Sequence, residues 1–200
     1  MLQKEFFQVQ PFNPKVIPLT LVFQKNTPGN YTFTVPDQYN YVVIEYAGAA
    51  GGAARSGSGS GSIKRTNVIT ARSFSGIVGE MGGDGGLTYT VNPAKGGIGY
   101  RNGADGEVGD TGGAGPTSTS GGGGGGSTSV VINGIVNEAS GGGGGNYFAA
   151  GGAGGGLYGG ARQANKNTAG NNATDPNQIG LNSGNGYVKI LAGYDPYFKG

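Results

Sequence analysis

Residues 103–115 read GADGEVGDTGGAG, and Gly103, Gly106, Gly109, Gly112 and Gly115 stand at every third position without a break. A polyproline-II-type helix has three residues per turn and no internal hydrogen bonds. Glycine at that spacing leaves one helix edge without any Cβ. Neighbouring chains can then come close enough for N–H and C=O groups to pair between helices. Collagen uses the same spacing with three chains. This stretch has only about five triplets and a single proline at its end, Pro116, which is too little for a collagen helix. The reading that remains is a bundle formed by several tracts of one chain, a polyglycine II bundle.

Working outward, residues 79–160 hold more of the same. Gly121–Gly126 and Gly141–Gly145 are unbroken glycine tracts, and AAGGAGGGLYGGA follows at 149–161. The spacing predicts that these tracts fill the bundle interior, with neighbours on all sides. Ordering glycine costs more backbone entropy than ordering any other residue, so dense backbone hydrogen bonding must offset it. A flexible Gly/Ser linker would be monotonous. Here Tyr100-Arg101, Asn146-Tyr147-Phe148 and Leu157-Tyr158 interrupt the tracts, which favours an ordered structure.

The flanks read as β-structure. Tyr31, Phe33 and Val35 alternate with threonines, the period of a half-buried strand. Tyr39–Tyr46 (YNYVVIEY) is rich in β-branched and aromatic residues. Leu19–Phe23 predicts a strand, Ser62–Val78 a strand or hairpin, and Gly186–Leu191 a closing strand. Leu87–Val91 and Val130–Val136 are short hairpin candidates, the second turning at Asn133-Gly134. No segment has a helical period. The expected fold is mainly β: an antiparallel β-sandwich-like shell with a polyglycine II helix bundle and almost no α-helix. Residues 1–30 are expected to form an attachment or oligomerisation segment, 31–193 the glycine-rich domain, and 194–200 a tail.

Composition excludes several function classes. The chain has 200 residues, 47 of them glycine, against a usual share of about 7%. Net charge is +2, and the 13 Lys and Arg are dispersed, which argues against a nucleic-acid partner. With no cysteine and no histidine, thiolate metal sites and the commonest catalytic base are missing. The start lacks the apolar core of a signal peptide, and no run of 18 apolar residues is present. This suits a protein made in the cytosol and carried outward within an assembly.

Gly154, Gly156 and Gly159 satisfy G-x-G-x-x-G, but in a chain this rich in glycine the match is expected by chance, and no strand precedes it. Asp105, Glu107 and Asp110 have calcium-type ligand oxygens. The nonapeptide calcium repeat fails, because Arg101 occupies the aspartate position after Gly96-Gly97-Ile98-Gly99. The acids read as solubilising charges. No catalytic residue, cofactor or metal is expected, and the protein is not read as an enzyme.

YTFTVPDQYNYVVIEYAGAAGG (31–52), IVGEMGGDGG (77–86) and SGNGYVKI (183–190) resemble the glycine-rich domains of bacteriophage tail-fibre and virion proteins. That resemblance implies a virion appendage, a tail-fibre or spike component, exposed on the particle and mediating attachment to the host surface. It also implies a homotrimer and a bacterial surface glycan or outer-membrane protein as receptor. The alternative is a purely structural virion component, a cap, cement or minor capsid protein. Receptor-contact candidates are Tyr100, Arg101, Asn146, Tyr147, Phe148, Tyr158 and Arg162, since aromatic loop residues beside polar ones suit sugars or protein loops. The same aromatics would otherwise plug gaps between helices and strands. Phe6, Phe7 and Phe12 are the candidates for docking onto other virion proteins.

Overall fold

A computed structural model describes residues 15–54, 56–88, 93–110, 118–146, 149–162 and 168–199. Among them there is no helix, and every strand pairing is antiparallel. The strands are β1 (Ile17–Lys25), β2 (Gly29–Thr34), β3 (Tyr41–Ala47), β4 (Gly61–Arg65), β5 (Ser73–Val78), β6 (Gly86–Thr88), β7 (Val108–Asp110), β8 (Ser118–Ser120), β9 (Thr128–Ile132), β10 (Ile135–Ala139), β11 (Gly180–Asn182) and β12 (Tyr187–Tyr194). They form a five-stranded sheet in the order β1-β12-β3-β4-β11, a four-stranded sheet β10-β9-β5-β2, and a small sheet β6-β8-β7.

β-Branched and aromatic residues build the two larger sheets, as their fit to a pleated surface requires. One core cluster draws Ile44, Val188 and Ile190 from the five-stranded sheet and Phe74, Val78 and Val130 from the four-stranded one. Phe23 of β1 stacks on Phe33 of β2, with ring centroids 4.8 Å apart. The closing strand β12 lies between β1 and β3, with Ile190 opposite Ile44. The β9–β10 hairpin turns where the sequence indicates. Asn133 (φ 50°) and Gly134 (φ 79°) both take the left-handed region that a two-residue hairpin turn needs.

One strand expectation is corrected. Residues 62–78 are not a hairpin: β4 joins the five-stranded sheet and β5 the four-stranded one. Alternation assigns side chains to faces and leaves the strand partner open. Here Thr66 and Ile69 hold the connection back against β3 through the Ile44 N–H to Thr66 Oγ1 bond (3.0 Å) and the Val42–Ile69 bridge. Leu87–Val91, the other hairpin candidate, is described only in part. Its first part lies in β6, which pairs with β8, and residues 89–92 lie outside the described residues.

The glycine region is held by backbone hydrogen bonds between its own tracts. Residues 121–127 are all buried. Their N–H groups point in three directions that recur every third residue. Gly121, Gly124 and Ser127 donate to Glu107, Ala104 and Arg101. Gly122 and Gly125 donate to Gly145 and Gly142, and Gly123 and Gly126 to Gly83 and Glu80. Their carbonyls accept from three other segments: Gly152 and Gly155, Gly52 and Ala49, Gly97 and Tyr100. The tract is thus surrounded by six segments, each bonded at a spacing of three. Residues 141–145 repeat the pattern: Gly141 and Gly144 donate to Gly155 and Gly152, Gly142 and Gly145 to Ala49 and Gly52, and Gly143 to Asn171.

Side chains are excluded because neighbouring carbonyls occupy the space. A Cβ on Gly124 would overlap the Ala153 carbonyl, and one on Gly122 the Gly52 carbonyl. In the 103–115 triplets, Gly103 and Gly106 face the carbonyls of Gly124 and Gly121. Gly109 belongs to β7, while Gly112 and Gly115 lie outside the described residues.

Candidate ligand groove

The interior tract leaves the bundle at Ser127, and Ser127 holds a bend of the chain there. Its carbonyl accepts from the Tyr100 N–H (3.0 Å), its N–H donates to the Arg101 carbonyl (2.9 Å), and its Oγ accepts from the Arg101 N–H (2.9 Å). The bend presents Tyr100 and Arg101 at the surface, with Tyr100 43% exposed. The adjoining bend at 155–158 is fixed from below. Ser140 Oγ accepts from the Tyr158 N–H (3.2 Å), and the Tyr158 carbonyl accepts from Thr174 (3.0 Å).

The two bends meet over β10. Tyr100, Arg101, Leu157, Tyr158, Val136 and Glu138 line a groove of about 270 Å³, closed at its base by Lys64, Asn137 and Asp175. Asp175 is buried, and its Oδ2 accepts from Ser62 Oγ (2.5 Å) and the Ser140 N–H (2.8 Å). That network ties β4, the end of β10 and the 173–175 segment together beneath Tyr158. Glu138 Oε2 lies 3.5 Å from Arg101 Nε. Glu138 Oε1 is buried and has no hydrogen-bond partner. A buried carboxylate oxygen left without a donor carries a desolvation cost. A second groove, of about 540 Å³, continues past Lys64 and Asn137 along Ile135, Thr66 and Asn67.

Of the residues expected from sequence, the structure brings Tyr100, Arg101 and Tyr158 together. It does not bring the others. Asn146, expected at the surface, is buried at 1% exposure, because its backbone continues the 141–145 tract with its N–H on the Thr168 carbonyl (3.1 Å). Arg162 pairs with Glu107 away from the groove. Tyr147, Phe148, Phe6, Phe7 and Phe12 lie outside the described residues. Asp105 is taken up by Lys95 (2.7 Å) and the Gly96 N–H (2.8 Å), which hold its carboxyl below the usual range. Sequence reasoning missed Glu138, Lys64 and Asp175. In the sequence Glu138 is a lone acid that follows an apolar strand, and nothing in its neighbourhood announces Arg101.

No family model and no curated protein matches this chain.

Among the described residues, no cluster of acids suits a metal ion. The groove offers two hydroxyl-tipped rings, two cations, two carboxylates and an amide. That set can hydrogen-bond and orient a ligand.

Proposed function

We propose that this protein is a non-enzymatic appendage of a phage particle, a tail-fibre or spike component, and that the groove between Tyr100 and Tyr158 contacts the host surface. The observation that carries the reading is the convergence of the side-chain interruptions. Two of the residue pairs that break the glycine tracts, 100–101 and 157–158, stand far apart in sequence and line one open groove. Their backbones are fixed by the bundle and by buried serines, and sites are more precise on rigid supports than on free loops. The resemblance of residues 31–52, 77–86 and 183–190 to phage glycine-rich domains supports the same reading.

The finer architecture belongs to this proposal. The tracts are polyglycine II helices packed side by side, and the two larger sheets form a sandwich-like shell that clamps them. Hydrogen bonds recurring every third residue to six surrounding segments support the helices. Residues 1–30 fasten the molecule to other virion proteins, and the working assembly is a homotrimer. β1 supports an attachment role: it is a sheet edge with Leu19 and Leu21 exposed, and open edges invite pairing.

Labelled, folded protein should bind saturably to a narrow set of bacterial strains, and Tyr158→Ala should remove that binding without changing the far-ultraviolet circular dichroism. Absence of binding to any strain in a broad Gram-negative and Gram-positive panel would overturn attachment. It would leave a purely structural virion component.

A further inference from the structure

We infer that the groove takes an uncharged, hydroxyl-bearing sugar residue, with a ring hydroxyl bridging the Glu138 carboxylate and the Arg101 guanidinium. The inference rests on the attachment reading above and specifies its ligand. Three observations on the groove carry it.

The first is the Glu138–Arg101 pair. Arg101 Nε stands 3.5 Å from Glu138 Oε2, longer than a good charge-assisted hydrogen bond. A group that donates to the carboxylate and accepts from the guanidinium completes the pair, and a hydroxyl does both. A bare anion cannot.

The second is charge balance. Lys64 and Arg101 face Glu138 and Asp175 across the same groove, two positive groups against two negative ones. An anionic ligand would gain Arg101 and meet Glu138. A cationic ligand would gain Glu138 and meet Arg101. A neutral hydroxyl avoids that conflict, because it donates to the carboxylate and accepts from the guanidinium in the same pose.

The third is shape and surface. Tyr100 and Tyr158 are each a little under half exposed, at 43% and 44%, beside the freely exposed Leu157. Flat aromatic faces with a polar tip match the alternating C–H and O–H faces of a pyranose. At about 270 Å³ the groove falls just below the range of about 300–1,000 Å³ for sites of drug-sized ligands, so it suits one sugar residue. The second groove shares Lys64 and Asn137 with it and offers a path for the rest of an oligosaccharide.

The test is a glycan microarray carrying neutral gluco-, galacto- and manno-oligosaccharides, uronic-acid and sialylated glycans, and amino-sugar oligomers. The strain-binding assay is run in parallel on the same protein. Expected is binding to a neutral subset, weakened at least tenfold in Kd by Glu138→Gln and by Tyr158→Ala, with Tyr158→Phe close to the parent. Glu138→Gln replaces one acceptor oxygen with a donor at constant shape. Tyr158 is a surface residue, so its variant keeps the test valid if the glutamine variant unfolds. Binding confined to acidic or amino sugars would overturn the inference. So would neutral-sugar binding that both variants leave intact. Strain binding without any glycan binding would leave attachment standing and remove the sugar. Failure of both assays would remove both readings.

Discussion

At Gly124 the N–H donates to Ala104, the carbonyl accepts from Gly97, and the place of a Cβ is filled by the Ala153 carbonyl. The obstruction is backbone, which cannot rotate away as a side-chain tip can. Gly124→Ala must therefore push a neighbouring tract aside and lengthen the bonds that hold it. Overpacking of this kind costs about 3 kcal/mol. Gly184 makes the matched control. Nothing lies within 4 Å of a Cβ there, and its φ is outside the left-handed range. Gly184→Ala should be neutral or stabilising by about 0.4–1 kcal/mol through the unfolded chain. Urea denaturation of the two variants separates the cases, and equal midpoints would mean that the interior tract is not close-packed. The spacing of glycines in sequence marks such positions, because only contact on a fixed edge requires a period of three. It does not say which carbonyl will fill each gap. Ala153 lies 29 positions from Gly124, and no local pattern links them.

At the scale of elements, most of the longer strands were legible, whereas their partners were not, the β9–β10 hairpin apart. Asn133-Gly134 specifies its own hairpin, since both residues accept a positive φ. β4 and β5 were legible as strands but not as members of different sheets, because alternation says nothing about partners. The candidate site was legible by half. Aromatics interrupting glycine tracts pointed to Tyr100 and Tyr158, whereas Glu138 enters only when the β9–β10 hairpin is laid against the 99–102 bend. The tract 121–127 behaves as an element of its own, and its protection is testable. Its amides are buried and bonded to three different segments, so local fraying of any one segment frees only a third of them. Hydrogen exchange on ¹⁵N-glycine-labelled protein should therefore place Gly122, Gly124 and Gly125 among the slowest amides, opening only with global unfolding. Gly57 and Gly170, whose N–H groups make the longer bonds to the carbonyls of Ala54 (3.4 Å) and Gly57 (3.3 Å), should exchange much sooner. Fast exchange at Gly124 would contradict the bundle.

For the molecule as a whole, the buried ionisable groups that folding shifts are tyrosines, which titrate at the alkaline end. The chain has no histidine and no cysteine, so no side chain of ordinary pKa titrates between pH 6 and 8. Tyr31 and Tyr46 instead sit in the core cluster between the two larger sheets. Burial, and then the Asp175 charge, push the Tyr46 phenol up to about 12. Burial, and then Tyr46, push Tyr31 above the ordinary tyrosine range, with its hydroxyl donating to the Ser129 carbonyl (3.1 Å). In the unfolded chain both phenols ionise near pH 10. Above that pH the unfolded state has released protons that the folded state still holds, so stability must fall as pH rises. The contribution is fully present below pH 10 and declines through about pH 12. For Tyr46 alone a two-unit difference is worth about 3 kcal/mol. Chemical denaturation at a series of pH values should thus give a plateau through neutrality and a steep drop above pH 10. Tyr46→Phe keeps the ring and removes one titration. It should match the parent at pH 7 and exceed it at pH 11.5, while the remaining decline belongs to Tyr31 and to Tyr187, whose phenol is also raised by burial and by its bond to Glu45. An identical alkaline drop in parent and variant would mean that Tyr46 is open to water, and that the two sheets do not close over a common core.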